Sequence, residues 1–101
     1  MNKIKKYEEN PTITSLLDRQ INQLKLLFRL AYEGKANINQ LYQIGSGIEK
    51  KIEKISPDYR DTAPLSLVDA LDFIYGLHDN SSREYYSRNK EEIYSHYLNL
   101  S

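Results

Sequence analysis

The chain has 101 residues, 40% hydrophobic and 28% charged, which fits one packed domain over residues 1–101 and excludes both a second domain and a disordered or fibrous chain. Fourteen basic residues balance fourteen acidic ones, so no net field recommends nucleic acid or an anionic membrane as a partner. The absence of cysteine excludes disulfide frameworks, thiolate metal sites and cysteine nucleophiles.

Residues 1–12 read as a flexible N-terminal segment. Lys3, Lys5, Lys6, Glu8 and Glu9 surround a lone Ile4 and Tyr7, without the apolar centre of a signal peptide. The longest apolar runs, such as Leu26-Leu27-Phe28, hold three residues, against roughly 20 needed to span a bilayer. The expectation is a cytoplasmic protein that does not insert into a membrane.

From Thr14 or Ser15 to Glu33, apolar residues recur at Leu17, Ile21, Leu24, Leu27, Phe28 and Ala31, the three-and-four spacing of a helix. Ser15 with Asp18 resembles a capping box just after Pro11, and Gly34 supplies a left-handed terminator. Leu16, Leu26 and Leu30 widen the apolar stripe, so this helix is expected to touch two neighbours. Asn37 with Gln40 caps a second helix carrying Ile38, Leu41, Ile44, Ile48, Ile52 and Ile55, until Ser56-Pro57 forbids continuation. The short loop Gly34 to Ala36 makes the two an antiparallel hairpin. Inside the second helix, Gly45-Ser46-Gly47 costs about 1 kcal/mol per glycine relative to alanine. Close approach of a neighbour or a kink accounts for such a pair. A phosphate-cradling loop lacks its preceding strand and its GK[ST] continuation.

Pro57 to Pro64 reads as a solvated connector. Ser66 with Asp69 and a Leu65–Ala70 staple then predict a short third helix bearing Leu67, Val68, Leu71, Ile74 and Leu77. After Asp79-Asn80-Ser81-Ser82, Ser81 with Glu84 caps a fourth, carrying Tyr86, Ile93, Tyr97 and Leu100 on one side. No segment alternates as a strand does and no period of about 20–50 residues repeats. The predicted fold is all-α, an antiparallel four-helix bundle.

The chemistry-bearing residues do not converge. His78 and His96 are eighteen positions apart, without metal-ligand spacing around either, and are expected at the surface. Residues 57–79 carry five acids against Arg60, and residues 19–54 carry seven bases against three acids, so charge is segregated although the total is zero. Attraction between the hairpin and the third helix, or a dipole that orients a partner, would follow. Lys50, Lys51 and Lys54 alternate with Glu49 and Glu53 at pairing distance, the pattern of an ordinary exposed helix face rather than of a nucleic-acid site. No catalytic, cofactor or metal site is predicted. Four of the nine tyrosines, Tyr85, Tyr86, Tyr94 and Tyr97, fall in the last seventeen residues, with Arg88 among them and Arg83 just before. Tyrosine and arginine are enriched at protein interfaces. Tyr86 and Tyr97 share the core face with Ile93, which leaves Tyr85 and Tyr94, with Arg83 and Arg88, as the candidate partner-binding set.

The run Leu24-Lys25-Leu26-Leu27-Phe28-Arg29-Leu30-Ala31-Tyr32-Glu33-Gly34, followed by a helix with Leu41, Ile44, Ile48 and Ile52 ending in Glu49-Lys50-Lys51-Ile52, then by Leu71, Asp72, Phe73 and Ile74, resembles the immunity proteins of class IIa, pediocin-like bacteriocins, enterocin A type. The resemblance covers about half of the chain. It implies a small cytoplasmic antiparallel four-helix bundle of Gram-positive bacteria, monomeric, without enzymatic activity or cofactor, that protects the producer from its own antimicrobial peptide. It further implies a protein partner, the membrane components of the mannose phosphotransferase system with bound bacteriocin, and specificity in the C-terminal half. Here the helical pattern persists almost to Ser101, so the last helix, with Tyr85, Arg88 and Tyr94, would carry that specificity. The alternative is a regulatory or antitoxin-like helical protein that binds a soluble partner, dimerising through Leu26 and Leu30.

Overall fold

The structure, a computed structural model, describes residues 11–100, with side chains from Ser15 onward. The described chain is all-helical: α1 (Pro11–Tyr32), α2 (Ile38–Ile55), α3 (Tyr59–Thr62), α4 (Leu65–Gly76), α5 (Asn80–Arg88) and α6 (Glu91–Asn99). α1 packs on α2 and α6, α2 on α4, and α6 closes back on α4, giving a bundle. Its centre is Leu24, Phe28, Leu41, Ile52, Leu67, Leu71, Ile74, Leu77 and Ile93, all fully buried. The expected flexible segment falls outside the described residues, except for Pro11 and Thr12, which lie in α1.

α1 begins four residues before the predicted cap, and Ser15 lies within it. Proline is well suited to a first helical turn because its missing N–H has no partner to lose there, and Thr12-Ile13-Thr14 contain nothing that stops a helix. The C-terminus is as predicted. Gly34 has φ 79°, and the amides of Lys35 and Ala36 both donate to the Leu30 carbonyl at 2.8 and 3.1 Å. The Asn37–Gln40 capping box closes with both bonds at 2.8 Å, and α2 stops before Pro57.

On α2 the buried line is Leu41, Gly45, Ile48 and Ile52. Ile44, expected in the stripe, is 51% exposed. Gly45 takes the inward place because Ile74 of α4 lies against it: a Cβ there would stand 2.7 Å from Ile74 Cδ1. Gly47 meets nothing within 4 Å, and nothing in the structure explains it.

The connector is not merely solvated. It contains α3, whose Tyr59 is 3% exposed and belongs to the core. Its hydroxyl donates to Glu49 at 3.0 Å. Pro64, not Ser66, stands at the N-cap of α4, so Ser66 lies inside the first turn and no side chain caps the helix, and Leu65 is too exposed to staple. The predicted fourth helix is two helices. Asp79 caps the first by accepting from the Ser82 amide at 3.3 Å. The break falls at Asn89 and Lys90, where both the backbone N–H and the side-chain amide of Asn89 donate to the Tyr85 carbonyl, the local competition with helix geometry that asparagine favours.

Candidate functional site

The ion pair joining the acidic segment to the hairpin runs opposite to the expected polarity. Arg60 of α3, from the acidic segment, reaches Asp72 of α4 at 2.7 Å and Glu49 of α2 at 3.5 Å. Glu49 is therefore turned toward Tyr59 and Arg60 and not toward the lysines of its own helix, contrary to the expected alternating face.

The aromatic residues of the C-terminal helices form two groups. Along the α1/α6 seam, the rings of Tyr32 and Tyr94 stack at 4.5 Å, Tyr94 and Tyr97 at 5.9 Å, and Lys25 lies over the Tyr97 ring at 5.3 Å. Tyr32 and Tyr94 remain 43% and 38% exposed. Between α4, α5 and α6, the Phe73 ring meets Tyr86 edge-on at 4.8 Å and His96 at 4.9 Å, and His96 reaches Phe28 at 5.4 Å. Tyr85 extends this second group outward, edge-on to Tyr86 at 4.8 Å.

The predicted set is thus divided. Tyr85 and Arg88 lie exposed on α5, and Tyr94 lies on the α1/α6 seam with Tyr32, a contact invisible in the sequence because it spans 62 positions. Arg83 is engaged within the fold. Its guanidinium donates to the Leu77 carbonyl and to Asn80 Oδ1, both at 2.6 Å, and lies 5.4 Å from the Tyr42 ring centre. It clamps the turn between α4 and α5 onto α2.

His78 is exposed as expected, ring-stacked on Tyr75 at 5.3 Å. His96 is not a surface residue. Its side chain is 12% exposed, wedged against two phenylalanines, with Nε2 3.6 Å from Glu92 Oε2. His96 lines a groove of about 500 Å³ together with Asp69, Asp72, Phe73, Tyr86 and Glu92. The Tyr86 hydroxyl donates to Glu92 at 3.0 Å, and burial together with that carboxylate raises its phenol above the ordinary range. Comparison with family models, curated proteins and solved structures finds no match for the chain. Among the described residues, no group of three or more His, Cys, Asp or Glu side chains is placed to hold a metal ion. No described helix is long and apolar enough to cross a membrane.

The groove was missed at the sequence level for a definite reason. Asp69, Asp72 and Phe73 come from one helix and Glu92 and His96 from another, and only the α4/α6 packing brings them together.

Proposed function

We propose that this protein acts by binding a protein partner, and that it gives immunity to a pediocin-like bacteriocin. In this reading it works in the cytoplasm, without catalysis, docking on the mannose phosphotransferase membrane components that bacteriocin has opened and holding the leak closed. The observation that supports it best is the exposed aromatic surface of the C-terminal helices, Tyr85 at 57% and the Tyr32–Tyr94 stack, on an all-helical bundle of the kind the resemblance implies. Large rings held in place by neighbouring rings offer contact area at little entropic cost, which suits recognition.

The test is expression in a sensitive Gram-positive strain, challenged with a panel of pediocin-like bacteriocins. Protection against one or two members is expected, and the triple variant Tyr85→Ala, Arg88→Ala, Tyr94→Ala should lose it while retaining helical circular dichroism. Failure of the unaltered protein to protect against any member sinks the immunity reading. The regulatory or antitoxin-like reading, with a soluble partner, would then lead, favoured by Leu26, which is 52% exposed on α1.

A further inference from the structure

The groove between α4, α5 and α6 carries chemistry that the fold leaves unused. Its rim is acidic on two sides, Asp69 and Asp72 from α4 and Glu92 from α6, and its floor is aromatic, Phe73, Tyr86 and His96. Neither lysine nor arginine lines it. Arg60 compensates Asp72 from outside, at 2.7 Å. Asp69 has no ion-pair partner among the described residues. Glu92 accepts from the Tyr86 hydroxyl through one oxygen, and its other oxygen stands 3.6 Å from His96 Nε2. That Nε2 is buried and makes no hydrogen bond among the described residues, so the imidazole takes part in the groove through its ring against Phe73. Aromatic faces attract cations, and flanking carboxylates add to that attraction as water leaves.

We propose that this groove is the docking site for a lysine- or arginine-bearing segment of a protein partner. The cation sits over the Phe73 and Tyr86 rings and is held by Asp69 and Glu92. The proposal rests on the reading of this chain as a partner-binding protein and adds the chemistry of the partner. A segment of chain fits better than a small free cation. The groove is open and holds about 500 Å³, and its floor continues through the Tyr86–Tyr85 edge contact onto an exposed ring that would meet an apolar neighbour of the bound cation.

The test uses the full chain, amide-resolved NMR, and a blocked, labelled helical peptide of leucine and arginine, with its glutamate-for-arginine counterpart and spermine as controls. Shifts are expected to cluster at Asp69, Phe73, Tyr86, Glu92 and His96. The double variant Asp69→Asn, Glu92→Gln should bind the peptide about tenfold more weakly, the combined effect of two partly exposed charges. Gln at 92 can still accept from Tyr86, and Asp69→Lys, at an exposed position, gives a second variant that keeps the fold and should weaken binding by a similar factor. The proposal is overturned if no shifts occur, if they spread equally over Asp58, Asp61 and Asp79, if spermine competes as strongly as the peptide, or if the variants bind unchanged. The titration contains neither bacteriocin nor receptor. A silent groove therefore removes this proposal and leaves immunity to the protection assay, and a failed protection assay leaves a binding groove standing.

Discussion

Gly45 and Gly47 are equivalent in the sequence, each a helix-weakening residue two positions from the other, yet they answer to different forces. A Cβ at Gly45 would meet three atoms of the Ile74 side chain, at 2.7, 3.1 and 3.1 Å, so rotation of one methyl cannot clear it. Gly45→Ala should destabilise the protein by about 1 kcal/mol, overpacking outweighing the gain in helix propensity. Gly47→Ala should stabilise it by roughly 0.5–1 kcal/mol, since only the propensity term acts. Thermal denaturation of the two variants should therefore move in opposite directions, and equal shifts would refute the packing account. Tyr59 has a separate signature. Burial first, and then its bond to the Glu49 carboxylate, push its phenol up to about 12 from 10.0. The folded state thus holds this proton more firmly than the unfolded state does. The associated stability is complete below pH about 10 and is lost as pH rises toward the folded value. Urea denaturation across that window should show falling stability, with a shallower fall in Tyr59→Phe. The remainder belongs in part to Tyr86, whose phenol is raised for the same reasons.

Among the elements, α5 stands apart. It buries no residue, short non-helical turns bound it at both ends, and grooves flank it. Arg83 and the rings of Tyr86 and Phe73 hold it in place rather than an apolar face. Helices with little buried apolar surface open locally at low free energy. Hydrogen exchange should accordingly be faster in α5 than in the middle of α1, α2 or α4, and equal protection would show that α5 is fastened more firmly than its packing implies. The longer helices were legible because their apolar residues recur with the helical period and their caps are local. The division of α5 from α6 was not. Residues 81–100 keep helical spacing across the break, and the side-chain competition at Asn89 carries no periodic signal. α3 is illegible for the complementary reason: one turn is too short to show a period, so Pro57 to Pro64 reads as a solvated connector although it carries the buried Tyr59.

For the whole molecule, the distribution of exposed apolar residues bears on oligomeric state, which we predict to be monomeric. Leu26, Ile44, Leu65, Tyr75 and Leu98 are each about half exposed or more, but they belong to α1, α2, α4 and α6 rather than to one face of one helix. Scattered residues of this kind are normal on a monomer, whereas a stable dimer needs a contiguous patch. Sedimentation equilibrium should give the mass of a single chain, 11.9 kDa. A concentration-dependent rise that Leu26→Glu abolishes would instead favour the reading in which α1 mediates self-association.

By itself the sequence determined the all-helical class, the α1–α2 hairpin with its Gly34 terminator and Asn37 cap, and most of the core. These follow from periodicity and capping, which act over a few residues. Tertiary structure alone decided which polar and aromatic side chains are available. Packing engaged Arg83 in the α4–α5 turn, stacked Tyr94 on Tyr32, drew Tyr59 into the core, and set His96 beneath an acidic rim drawn from two helices. Each of these depends on which helix lies against which, and at separations far beyond a helical turn a local pattern carries no record of that choice.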